Sequence, residues 1–531
     1  MKVLLVIPPL TQPNTPYPST SVLTGFLRAN GIECHQADIG IELLSYMFSA
    51  KGLNELFEAF DPTLKWKAWQ RQMYAARERY CRSIGPVMRF LSGKDLSLAY
   101  VLATDGYLPR SERFQNISEM EARFGEAAIH DKAKFLASLY IEDLSEFIRT
   151  TVSSHFELAR YGERIAMFLP EFASMEEALL KENSLDKQVN TLLDARIRQT
   201  NPGLVGFSVP FPGNFYSALQ MARHIKLNYP EIKVVLGGGF VNTELRQLSD
   251  ARIFSTVDFI CLDDGELPLY QIVRYLKKEI GEDDLCRTFY LQNEKIHFAK
   301  GEESVISTLN EAKPCFEGLT GLPYFSVTSS INPMHRLWTD GRWNKMVLAH
   351  GCYWAKCAFC DTSLPYISCY KPKTVSGIVD QIESIMSQTG QSGFHFVDEA
   401  APPRVLKELA LELLKRGLQI TWWTNIRYEK YFTADLCRLL AASGCIAVTG
   451  GLETASDRLL MLMNKGVNVE QAAIVAKNFT NAGIMVHAYL MYGFPGQTMQ
   501  ETIDSLEIVR QFFKEGILYS EIGRASCRER V

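Results

Sequence analysis

Residues 351–360 read Gly-Cys-Tyr-Trp-Ala-Lys-Cys-Ala-Phe-Cys and set Cys352, Cys357 and Cys360 on one short loop behind a strand-like run at 346–349. Three thiolates gathered this tightly suit an iron–sulfur cluster in which one iron lacks a protein ligand and stays open to a small molecule. The spacing Cys-x4-Cys-x2-Cys also matches a plant-type [2Fe–2S] centre, and Cys369 is near enough in sequence to complete a four-thiolate cluster or a zinc site. On this reading the protein is an electron carrier or a zinc protein.

Working outward, strand and helix patterns repeat. Strands are expected at 346–349, 394–397, 419–424, 446–450 and 484–491, with helix-forming segments between them, and 517–520 reads as the start of a sixth. Such a succession implies a parallel βα barrel or part of one. The cysteine loop follows the first strand and so lies at the carboxyl end, where these folds place their chemistry. The second strand ends in Asp398-Glu399, the fourth runs into GGLETASDR (450–458) and the fifth into YGFPGQT (492–498). Trp422 and Trp423 alternate across one strand, so at most one points into the barrel. His350, before the loop, is expected to be a hydrogen-bonded structural histidine.

These motifs together resemble the radical S-adenosylmethionine (SAM) family, whose usual spacing has three residues between the first two cysteines where this chain has four, 353–356. One added residue costs little closure entropy, since doubling a loop costs only about 0.6 kcal/mol. The resemblance implies that Cys352, Cys357 and Cys360 hold a [4Fe–4S] cluster and that SAM chelates the open iron and is cleaved to a 5′-deoxyadenosyl radical. It implies further that Phe359 packs near the adenine and that Asp398, Glu399, Glu453, Ser456 and Gly493 contact SAM. Thr454 stands where the family has serine, and Gln497 where it has glutamate. No catalytic residue for the later steps is identified.

The first half reads as a second α/β region. A strand at 2–7 ends in Pro8-Pro9, a helix is expected at 21–30, a strand at 32–38, then after a long gap strands at 204–209, 233–236 and 258–261. Alternation of this kind indicates a doubly wound parallel sheet that binds ligands beyond the carboxyl ends of its strands. The gap, 41–195, has helical periodicity (Leu136, Leu139, Tyr140, Leu144, Phe147) and is expected to be an inserted helical subdomain. Pro8-Pro9, VGFSVP (205–210), LGGG (236–239) and DDGE (263–266) resemble the cobalamin (B12)-binding domain that precedes many radical SAM cores. That likeness implies cobalamin contacts at Ser208, Gly237, Gly238 and Gly239. The Asp-x-His-x-x-Gly of members that ligate cobalt with histidine is absent: the chain reads Asp38-Ile39-Gly40. A front domain that does not bind cobalamin is the alternative.

The expected fold class is therefore α/β. A B12-binding-like doubly wound sheet (1–40 plus 196–280) carries a helical insertion (41–195). A linker (281–345) leads to a partial (β/α)6 radical SAM barrel (346–520), incomplete at its C-terminal end. The last stretch, EIGRASCRERV (521–531), resembles a translated sequencing adapter, which would leave Cys527 without a native role.

With 531 residues, 47% of them hydrophobic, the chain is long enough for two or three domains, and its net charge of −4 offers no basic field for nucleic acid or anionic membrane. No run of 18 apolar residues occurs, and prolines break the opening apolar stretch too early for a signal peptide. Twelve cysteines with a clustered triplet then point to metal chemistry in a reducing cytoplasm. The expected partners are a small-molecule or peptide substrate and an electron donor such as flavodoxin or ferredoxin.

Overall fold

Val3–Ile7 (β1), five consecutive apolar residues, is buried at every position, the pattern of a parallel strand covered on both faces. The computed structural model describes the whole chain except residues 61, 62, 64, 115–127, 155, 157, 159–171, 302–311, 329–331 and 526–531, so Cys527 lies outside the described residues. The chain divides into two units, Met1–Ser329 and Ser330–Val531.

In the first unit β1 pairs in parallel with Cys34–Asp38 (β2) and Leu204–Ser208 (β3), followed by Lys233–Gly237 (β4) and Phe259–Cys261 (β5). The order 2-1-3-4-5 is doubly wound, with its switch point between β1 and β3, so the loops after those two strands flank the crevice where such sheets take ligands.

Alternation along β1 sends Leu4 and Val6 to one face and Val3 and Leu5 to the other. The first face shares one continuous core with Leu44, Phe57, Tyr80, Tyr140, Leu144 and Phe147 from the segment expected as a helical insertion. Those helices form the layer that buries this face. Ile129–Thr151, the longest of the described helices, supplies Leu136, Tyr140, Leu144 and Phe147 from one stripe.

The segment expected to be a linker also contributes structure. Thr288–Gln292 (β6) and Lys295–Ala299 (β7) form an antiparallel hairpin on the β5 edge. Its two-residue turn, Asn293-Glu294, has φ of 49° and 61°, the geometry that matches strand twist. β2 runs straight into the helix Ile39–Met47, where the buried Asp38 caps the Ile41 amide at 3.0 Å and accepts the Tyr324 hydroxyl at 3.0 Å. Burial pushes the Asp38 carboxyl up to about 6.

The second unit holds six parallel strands: Asn344–Met346 (β8), Gly393–Phe396 (β11), Thr421–Ile426 (β12), Cys445–Glu453 (β13), Met485–Tyr492 (β14) and Ser520–Ala525 (β15). They are paired in the order 8-11-12-13-14-15, with a small separate hairpin of Ala349–His350 (β9) and Lys371–Pro372 (β10). This is the succession of parallel strands and helices expected of the second half. The sixth strand includes 521–525, which the sequence sets apart as adapter-like, in register with β14 from His487↔Ser520 to Tyr492↔Ala525.

Trp422 and Trp423 are both buried, on opposite sides of β12. Trp422 donates to the Ser443 carbonyl at 3.0 Å, while Trp423 packs with Met334 and Leu337 of the helix Pro333–Thr339 and stacks on His395. Among the described residues no helix is long and apolar enough to cross a membrane.

Candidate active site

The cysteine loop is held at its base from both sides. β9 and β10 pair antiparallel, Ala349↔Pro372 and His350↔Lys371, and close residues 351–370 into one hairpin. His350 Nδ1 lies 2.7 Å from the Cys369 carbonyl, and the Cys352 amide donates to Ile367 at 2.8 Å. His350 is thus the structural histidine expected, and Cys369 is exposed with its carbonyl engaged.

Gly351 sits at φ +70°, where an added Cβ would stand 2.6 Å from the Cys369 oxygen. Gly351→Ala is therefore expected to destabilise the unit by at least about 1–2 kcal/mol, the cost of a left-handed alanine alone, and to lower iron retention. Chemical unfolding and iron analysis of the reconstituted chain check both.

Between the first two cysteines Ala355 stands at φ +44°, beside Trp354. The Trp354 indole donates to the Asn464 carbonyl at 3.0 Å and lies where a side chain on Gly466 would be, 2.2 Å from its Cβ position. The Ala358 amide donates to Met463 at 2.8 Å. The loop is thus sutured to the segment after β13.

Cys357 is buried, Cys352 half-buried and Cys360 exposed. The Cys357 thiol is held below the usual range, first by a hydrogen bond from Cys360 and then by the cations Lys465 and Arg427, against a burial effect of opposite sign. Cys360 is raised as its partner and by burial. A thiol biased toward thiolate is in the form that ligates metal.

Among the described residues no three His, Cys, Asp or Glu side chains converge on one point as the ligands of a single ion would. A cluster asks for something else, since its thiolates sit on different irons. Three thiols on one short loop, the middle one biased toward thiolate, are a donor set that suits a cluster. Cys34, Cys261, Cys437 and Cys445 are buried with thiols raised, chiefly by burial, as befits packing residues.

The acids divide. Asp398 is buried and accepts the Leu348 amide on both oxygens at 3.0 Å and the Ala349 amide at 2.8 Å. Burial nevertheless raises it to about 6. It anchors the strand end from which the cysteine loop departs. Glu399 is open to solvent, yet burial raises its carboxyl too. Glu453, at φ +62°, pairs with Lys465 at 2.6 Å, each side chain under a tenth exposed. The register slips beside it, between Gly451 and Glu453, an irregularity of the kind that re-aims side chains at active sites.

Ser456 caps the helix Asp457–Leu462 and donates to Glu501 at 3.1 Å. Arg458 also binds Glu501 and reaches the Gly496 carbonyl at 2.7 Å, which ties 456–458 to the glycine turn. In that turn Gly493 has φ +75°, and the Gln497 oxygen accepts the Gly493 and Phe494 amides at 2.8 and 3.2 Å. A glutamine can thus fulfil what the family's glutamate position requires of an acceptor. Phe359 is half-buried, with the Lys465 ammonium 5.4 Å from its ring centre.

In the first unit, Ser208 meets Ser19 at 2.6 Å. Gly238, at φ +113°, has the Val209 backbone 2.7 Å from where a Cβ would be, and Gly239 has the Pro210 oxygen at 3.2 Å. The close approach that these two glycines permit is therefore between the loops after β3 and β4. Gly237 has only ordinary contacts.

Arg427, Lys465, Glu429 and Trp354 were not singled out by sequence. The available signal was a charged residue at the carboxyl end of a strand, Arg427 directly after β12.

Residues 346–509 match the Radical SAM superfamily and so carry a radical SAM domain. The chain is 22% identical over 321 residues to an uncharacterized methyltransferase of Pyrococcus horikoshii, covering 59% of this chain and 65% of that protein. It is also 22% identical over 374 residues to the cytidylyl-2-hydroxyethylphosphonate methyltransferase of Streptomyces wedmorensis, covering 63% and 68%. The alignment thus spans slightly less than two thirds of the Pyrococcus protein. Among solved structures, the radical SAM methyltransferase TsrM of Kitasatospora setae, with cobalamin and a [4Fe–4S] cluster bound, superposes with a TM-score of 0.55 at 13% identity. That likeness, which covers 99% of this chain and 74% of TsrM, is one of fold.

Proposed function

We propose that this chain is a cobalamin-dependent radical SAM methyltransferase. The observation that carries the reading is the hairpin loop at the carboxyl end of β8, with three thiols and buried cations at the middle one. Cys352, Cys357 and Cys360 would hold a [4Fe–4S] cluster, which would supply the electron that cleaves SAM to methionine and a 5′-deoxyadenosyl radical. The chain's own part is to orient the reactants and keep water out.

Of the expected SAM contacts, Glu399, Phe359 and Gly493 remain accessible for binding, whereas Asp398 and Ser456 act through backbone and cap. Glu453 would act together with Lys465. Cobalamin, in the front unit beyond β1 and β3, would carry the methyl group without a histidine ligand at 38–40. Support comes from the methyltransferase relatives and from the fold shared with TsrM across both units. A TsrM structure with tryptophan bound favours a small-molecule substrate. With this reading we infer a flavodoxin- or ferredoxin-type electron donor and a cytoplasmic setting.

A second reading keeps the radical chemistry and makes the front unit structural; the packing use of Gly238 and Gly239 favours it. Anaerobic reconstitution with iron and sulfide, followed by assay of SAM consumption with and without cobalamin, separates the two. The first reading expects methyl transfer only when cobalamin is present. Stoichiometric cobalamin binding is expected with it, and its absence would leave the second reading standing.

A further inference from the structure

Arg427 is 4% exposed, and its whole guanidinium is committed. Nε donates to Glu429 at 2.9 Å, Nη1 to the Cys357 sulfur at 3.7 Å and Nη2 to the Lys465 carbonyl, while the plane lies 4.4 Å from the Trp354 ring centre. One group therefore grips the middle cysteine, the residue inside the lengthened interval and the segment after β13. Its backbone position directly follows β12, a strand paired on both sides. Only a fork with five donors and a flat face can meet all four partners; an ammonium cannot.

We propose that Arg427 is a positioning residue for the cysteine loop and that its fixed charge, held against the Cys357 sulfur, raises the reduction potential of the cluster. This inference rests on the reading that the three cysteines hold a cluster. Adding an electron makes the centre more negative, so a buried cation beside one of its sulfurs favours the reduced state. Hydrogen bonds to the sulfurs and net charge are among the quantities that set such potentials. The guanidinium charge is constant, because arginine does not deprotonate in proteins. Glu429, 14% exposed and 2.9 Å from Nε, offsets part of it. Removing the cation and removing the anion should therefore shift the potential in opposite directions, whereas a purely structural role would give no such pair of signs.

The test is an EPR-monitored redox titration of the reconstituted full chain, unchanged and as Arg427→Gln, Arg427→Lys and Glu429→Gln, with iron content measured in each. Arg427→Gln is expected to titrate at a more negative potential than the unchanged chain and Glu429→Gln at a more positive one. Arg427→Lys is expected to keep most of the potential while losing iron faster, since it keeps the charge and loses the fork. Midpoints of both glutamine variants within the scatter of the unchanged chain would overturn the proposal. If Arg427→Gln holds no iron, the sign of the Glu429→Gln shift decides alone. An unchanged chain that gives no [4Fe–4S] signal would instead defeat the functional reading itself.

Discussion

Cys357→Ala is expected to yield a folded chain that retains no [4Fe–4S] cluster and cleaves no SAM above background. The thiol lost is the buried one of the three, the one that Arg427 touches and Lys465 faces. The loop base, by contrast, is untouched, because the β9–β10 pairs, the Cys352 amide and the Ala358 amide make their bonds through backbone. The fall in activity should exceed the ~10–100-fold typical when a residue that merely supports a metal ligand is changed. Iron and sulfide analysis, the visible spectrum and 5′-deoxyadenosine formation measure it. Cys369→Ala is the discriminating control. It should keep the cluster, and loss of iron there would favour the four-thiolate electron carrier instead.

Lys465→Met is expected to destabilise the second unit by about 3–5 kcal/mol, the range for removing one partner of a buried ion pair. Glu453 and Lys465 are under a tenth exposed and 2.6 Å apart. Without the ammonium a buried carboxylate stands uncompensated. Lys465→Met combined with Glu453→Leu should recover most of the loss, since replacing both charges by apolar groups is often near neutral. Denaturant unfolding followed by tryptophan fluorescence reads this unit, which contains Trp338, Trp343, Trp354, Trp422 and Trp423 of the chain's seven tryptophans. A Lys465→Met midpoint equal to that of the unchanged chain would show that the pair carries no such energy.

The outcome at individual residues shows why some of the site was legible and some was not. Cys352, Cys357 and Cys360 are neighbours in sequence, so their gathering needed only a turn. Gly493 and Gly496 announce a turn for the same local reason, and both have positive φ. Arg427 and Cys357 meet across 70 positions, and nothing in TWWTNIRYEK says which loop the guanidinium will face. The same holds for Asp398. An acid at a strand end reads as a ligand contact, but the backbone amides it binds come from a chain segment 50 positions earlier. For Glu453, the lysine that claims it is only 12 positions away, yet the bend that brings them together depends on a slipped register between β13 and β14.

What the amino-acid order determined by itself was the run of buried strands, the helices between them and the cysteine loop behind the first strand of the second unit. Each of these depends on hydrophobic period, turn residues or close spacing, which act over a few residues. Tertiary structure decided the rest: that the long helical segment buries one face of the first sheet, that Gly238 and Gly239 make room for a neighbouring loop, and that two cations stand beside one thiol. Those facts depend on desolvation and contact between distant segments, and such energies exist only once the chain has brought them together.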